Sequence, residues 1–150
     1  MGRLLGRVAA IYGSLGALWW VGISATRTAT RCGDWPCLYP TLGAYLVVTI
    51  VALAAAVPLL TRAAVAPARR VALTAAAVLL AIRGFGEAVP SSPSPVVEAL
   101  RAGLAFTAAG TVAAVLSSPG LARRWRVAGW LAVAALPLSG LAVVWTRYGF

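Results

Sequence analysis

Apolar residues run through this chain in long blocks, separated by short segments that carry arginine, proline and serine. Val8 to Thr26 holds no charge between Arg7 and Arg27, and a longer charge-free run lies between Asp34 and Arg62. Two further blocks precede and follow the arginine cluster at Arg123, Arg124 and Arg126. A bilayer core of about 30 Å takes about 20 helical residues to cross. The pattern therefore predicts spans at about 8–26, 41–60, 71–89, 97–116 and 127–146. The blocks lack the period-two alternation of barrel strands, and a helix satisfies its backbone within the segment. The expected fold is all-α: a single integral membrane helical bundle over residues 1–150, with five transmembrane helices.

The third block is the least regular. Only twelve uncharged residues, Val71 to Ile82, precede Arg83, so a spanning helix must carry Arg83 and Glu87 to reach about Val89.

Composition agrees with the pattern. Hydrophobic residues make up 61% of the chain and charged residues 11%, with a mean hydropathy of +0.90. A soluble domain carries about a quarter charged residues, so a water-soluble globule is a poor fit. Every one of the 13 basic residues is arginine, a bias that fits a GC-rich bacterial genome as well as any physical need. The net charge of +10 would suit nucleic acid, but the arginines sit at the ends of apolar blocks. There they act as topology determinants facing lipid headgroups, and no nucleic-acid partner is expected.

Arginine bias also sets the orientation. With the N-terminus cytoplasmic, the inner side carries eight: Arg3, Arg7, Arg62, Arg69, Arg70, Arg123, Arg124 and Arg126. Five remain for the outer side, namely Arg27, Arg31, Arg83, Arg101 and Arg147, together with all three acids, Asp34, Glu87 and Glu98. The topology expected is N-in and C-out in a bacterial plasma membrane. A competing reading takes Arg3, Arg7 and the following apolar run as a signal peptide cut near Gly22-Ile23-Ser24. That run is long for such a segment and contains Trp19 and Trp20, so a retained span is preferred.

The connections are short, which makes neighbouring spans antiparallel; Val89 to Pro95 is a proline- and serine-rich turn. Small residues recur at helical spacing, with Gly13 and Ala17 in the first span and Gly103, Thr107, Thr111, Gly110 and Ala114 in the fourth. Such faces allow close backbone approach in lipid. Pro137 is expected to kink the fifth span.

Few residues carry candidate chemistry. Cys32 and Cys37 bracket a short outer loop, where two thiols in an oxidising compartment pair as a structural disulfide. The small ring gives a stabilisation of about 2 kcal/mol on the loop-entropy model. A redox dithiol is the alternative, but the spacing is not C-x-x-C and no second pair exists to relay electrons. Two cysteines without histidine make no zinc site, and no cofactor is implied.

Arg83 and Glu87 stand four apart on one helix face, and Glu98 and Arg101 three apart at similar depth on the next span. Two helices would thus gather two guanidinium groups and two carboxylates near the outer surface, with Asp34 above them. Ionisable residues in a membrane cost about 3 kcal/mol each, which makes these five the candidates for a ligand or ion site. The plainer reading, and the weightier one, is a structural clamp of mutually neutralised charges. Among the aromatics, Trp35, Tyr39, Trp125, Tyr148 and Phe150 fit an interfacial belt. Tyr12 and Tyr45 lie within spans and need partners for their hydroxyls.

The function expected is binding or assembly in the membrane, as an accessory subunit or through self-association, with the lipid bilayer as first partner and no enzymatic role. A small transporter or channel using the outer charges is the alternative, and a thiol oxidoreductase built on Cys32 and Cys37 a third.

Overall fold

The computed structural model describes residues 2–30, 38–86 and 94–148. Among the described residues there are five α-helices and no strand: α1 (Gly2–Thr30), α2 (Leu38–Arg62), α3 (Ala68–Gly86), α4 (Pro95–Leu116) and α5 (Arg123–Tyr148). Each covers one apolar block, and most run past it because arginine is a good helix former whose long stem reaches the interface. The expected end of the third span, at Val89, lies outside the described residues.

Four segments, Gly2–Thr26, Gly43–Arg62, Pro95–Leu116 and Arg123–Val143, are long and apolar enough to cross a membrane. α3 differs. Its 19 residues include Arg69 and Arg70 in the first turn and Arg83 in the last. The uncharged part between them rises only about 18 Å, well short of a bilayer core.

The core is one apolar stripe per helix. In α1 it is Val8, Tyr12, Leu15, Trp19 and Ile23, and in α3 it is Ala68, Val71, Ala72, Ala75, Val78 and Leu79. Both follow the three-and-four spacing of a helix with one packed face. α1 packs most extensively on α4; α2 lies against α1 and more lightly against α3, and α3 lies against α4. These four close a ring, and α5 is laid outside it on α3, with Val133 its only buried large apolar residue among the described ones.

Small residues make the α1–α4 contact. A Cβ on Gly16 would stand 2.9 Å from Phe106 Cβ and 3.0 Å from Gly103 Cα, and one on Gly13 would meet Thr107 Oγ1 at 3.1 Å. On the α4 side, a Cβ at Gly110 would run into the Tyr12 ring. Gly16, and not the exposed Ala17, is thus the partner of Gly13 on this face.

Hydroxyl groups within the helices bond back to their own backbone, as Ser14 to Ile11 O (2.9 Å), Thr107 to Gly103 O (2.8 Å) and Ser139 to Leu136 O (2.8 Å). This is how a polar side chain is tolerated among apolar neighbours. α5 continues through Pro137 as one helix.

The α2–α3 connection is a Schellman turn. Val65 N donates to Leu60 O and Ala64 N to Thr61 O, each at 3.0 Å, with Ala64 in the left-handed region at φ 55°. Leu60 and Val65, the apolar pair that accompanies such a turn, are both buried. The Arg7 guanidinium donates to Ala63 O at 3.3 Å, placing a cation at the negative end of α2. The Ala66–Pro67 peptide is cis.

Candidate functional site

Arg83 sits in the last turn of α3, where its side chain turns towards α1 and α2. Its guanidinium carbon is 4.5 Å from the Trp19 ring centroid and 5.4 Å from that of Tyr45. It also donates to Tyr45 Oη. Trp19 Nε1 donates to Thr49 Oγ1 at 2.9 Å, and Thr49 Oγ1 donates to Tyr45 O at 2.7 Å. The two rings meet edge to face, 5.1 Å apart at 88°, and Phe106 of α4 lies on Trp19 at 5.8 Å and 42°. Four helices therefore meet at one buried indole.

The chemistry of this cluster is cohesive. A cation over an indole contributes about 0.5–1 kcal/mol when exposed and about 2 when desolvated. Aromatic pairs add about 0.5–1.5 kcal/mol beyond area burial. Arg83 remains exposed, so the guanidinium keeps access to its surroundings while its face is held by the rings.

The other expected charges are partly accounted for. Glu98 and Arg101 form an ion pair at 3.1 Å within α4, with their side chains 38% and 45% exposed. Such a pair contributes at most about 1 kcal/mol. Glu98 also stands in the first turn of α4, which favours a carboxylate. The structure thus groups Arg83 with Trp19 and Tyr45, and Glu98 with Arg101. Asp34, Glu87, Cys32 and Cys37 lie outside the described residues. Among the described residues, no group of His, Cys, Asp and Glu is placed to hold a metal.

Of the two tyrosine hydroxyls within spans, Tyr45 finds Arg83 and Thr49 braces its backbone. Tyr12 is fully buried, and its Oη has no hydrogen-bond partner among the described residues. Trp19 is buried in the cluster, whereas its neighbour Trp20 is only partly covered.

A second locus, absent from the sequence reading, lies at the opposite end of the bundle. A cleft of about 740 Å³ opens between the starts of α3 and α5 and the end of α4, lined by Arg70, Thr74, Ser117, Pro119, Arg126 and Trp130 among others. Arg126 donates to Ser118 O at 3.1 Å and Leu121 O at 3.4 Å, while its Nε is buried without a partner among the described residues. Ser117 Oγ lies 3.5 Å from Thr74 Oγ1. Further along the same seam is an apolar groove of about 440 Å³ between Ala77, Leu80 and Ala81 of α3 and Trp130, Val133, Ala134 and Pro137 of α5. The two arginines here read as topology signals in the sequence; the available clue was that both stand at helix starts.

No protein-family model, curated protein or solved structure matches this chain.

Proposed function

We propose that the chain is a five-span protein of a bacterial plasma membrane, N-in and C-out, that works by binding and assembly with other membrane-embedded chains. The observation that carries this reading is the distribution of exposed apolar side chains. Leu18 and Val21 of α1, Leu46 and Ile50 of α2, Leu73 and Leu80 of α3, Leu100 and Leu104 of α4, and Leu131 and Leu138 of α5 are all more than half exposed. A monomer in water rarely exposes contiguous apolar surface on this scale, whereas lipid or a membrane partner covers it without cost.

α3 is the central span despite its arginines. Arg69 and Arg70 lie at one boundary, Arg83 is held within the opposite leaflet by Trp19 and Tyr45, and neighbouring helices cover the packed face of α3. α5 supplies the assembly surface. Leu131, Leu138 and Trp145 recur every seventh residue along it, all about two-thirds exposed. Cys32 and Cys37 close the first outer loop as a disulfide in the same reading. Arg83, held by the rings, and the Glu98–Arg101 pair serve as clamps at the outer ends of the helices.

Mild solubilisation followed by affinity purification tests the assembly role. Co-purification of a second membrane chain, reduced by Leu138→Arg, is expected. A clean monomer that needs detergent would leave the membrane reading standing and remove assembly.

A further inference from the structure

Among the described residues, the arginines at the inner end have no carboxylate to answer them. The chain's three acids are Asp34, Glu87 and Glu98, so residues 2–33, 35–86 and 99–148 contain none. α3 opens with Arg69 and Arg70 and α5 with Arg123, Arg124 and Arg126, and neither helix has an acid in its first turn. A helix start already carries about half a positive charge from its free amides. Two helix starts and the guanidinium groups of Arg70 and Arg126, which line one cleft, therefore meet with like sign, an arrangement that favours an anion between them.

The shape of the space between them says what kind of anion. Arg70, Arg126, Ser117 and Thr74 line the cleft, and the buried Nε of Arg126 lacks an acceptor among the described residues. Trp130 lines both this cleft and the apolar groove beyond it, so the two form one path along the α3–α5 seam. From Arg70 to Ala81 on α3, and from Arg126 to Pro137 on α5, the path is eleven residues long on each side. At 1.5 Å per residue that is about 16 Å, the depth of one leaflet. Polar and cationic at one end, apolar for the thickness of a leaflet, it has the profile of a phospholipid.

We propose that this seam seats one anionic phospholipid of the inner leaflet. Its phosphate lies between Arg70, Arg126 and the starts of α3 and α5, and an acyl chain lies in the groove between Leu80 and Val133. Arg126 is fixed by the Ser118 and Leu121 carbonyls, which leaves Arg70 as the free arm of the clamp. The inference rests on the membrane reading above.

Binding of phosphatidylglycerol, phosphatidylcholine and inorganic phosphate to the full chain in neutral detergent, followed by tryptophan fluorescence and native mass spectrometry, tests it. Phosphatidylglycerol is expected to bind at least about tenfold more tightly than either of the others, a difference of about 1.4 kcal/mol. Arg70→Gln should remove about that factor, while the double variant R3Q/R62Q, which takes two charges from the same membrane face, should not. Ala134→Trp, on an exposed wall of the groove, should weaken phosphatidylglycerol and leave inorganic phosphate unchanged. Equal losses from R70Q and R3Q/R62Q would reduce the site to diffuse attraction and overturn the proposal. Equal binding of the two lipids, or of inorganic phosphate and phosphatidylglycerol, would overturn it as well. Either failure in a chain that still requires detergent sinks the lipid site alone; a chain monodisperse without detergent sinks the membrane reading.

Discussion

Arg83 rests on Trp19, its guanidinium carbon 4.5 Å from the indole centroid, although the two residues are carried by helices that are not direct neighbours in the ring. Tyr45 of α2 joins them by accepting from Arg83 and meeting Trp19 edge to face. This end of the bundle is therefore tied by one stacked cation. Replacing Arg83 by Met keeps the stem and removes the charge, and is expected to destabilise the protein by about 1–2 kcal/mol. In a double-mutant cycle with Trp19→Leu, measured by unfolding in detergent, a coupling near zero would show that the stack carries no energy.

Tyr12 offers the opposite case. Its hydroxyl is buried without an acceptor among the described residues. Leaving such a group unpaired costs about 1–3 kcal/mol. Tyr12→Phe should therefore raise thermal stability or leave it unchanged. A marked fall in Tm would reveal a partner for the hydroxyl.

The glycines of α4 separate by what faces them. A Cβ at Gly110 would enter the Tyr12 ring, whereas one at Gly103 meets nothing within 4 Å. Gly110→Ala is expected to cost about 1–3 kcal/mol through overpacking, and Gly103→Ala to gain up to about 1 kcal/mol from helix propensity. Equal effects in a denaturation series would mean that α1 and α4 do not approach this closely.

These contacts divide what the sequence reveals from what it hides. The five helices are legible because arginine or proline stands near almost every helix end, and charge resists the bilayer interior. The α1–α4 contact is half legible: Gly13, Gly103, Thr107 and Gly110 are named by spacing alone, but spacing selects Ala17 where the helix presents Gly16. The Arg83 cluster is hidden. On one helix Arg83 and Glu87 share a face, which invites an ion pair. The stack on Trp19 needs the rotation of three helices, and that information lies in no single segment. The basic cleft is hidden for a related reason, since a cation at a span boundary has a sufficient explanation in topology.

Ala64 holds a left-handed conformation at φ 55° in the turn after α2. That region costs a residue with a Cβ about 1–2 kcal/mol, while glycine adopts it freely and gives back about 0.4–1 kcal/mol through the unfolded chain. Ala64→Gly is thus expected to stabilise by about 0.5–1 kcal/mol. Loss of stability in a chemical unfolding experiment would contradict the Schellman geometry.

The proposed Cys32–Cys37 bond has a direct readout. A membrane-impermeant maleimide should label neither thiol on intact cells until a reductant is added, and the pair Cys32→Ser with Cys37→Ser should cost about 2 kcal/mol. Labelling without reduction would show free outer thiols, and labelling only after lysis would reverse the orientation.

Tyr12 and Gly110, which fill one another's space across α1 and α4, are 98 positions apart in the chain. Ribosomes extend a chain at about 5–20 residues per second, so α1 waits about 5–20 s for its main partner to be made. In the proposed membrane setting, α1 spends that interval with the Tyr12 ring not yet covered by α4. Biogenesis of this bundle is for that reason a late closure, and a translation pause before α4 lengthens the time in which a bystander helix can occupy the vacant face.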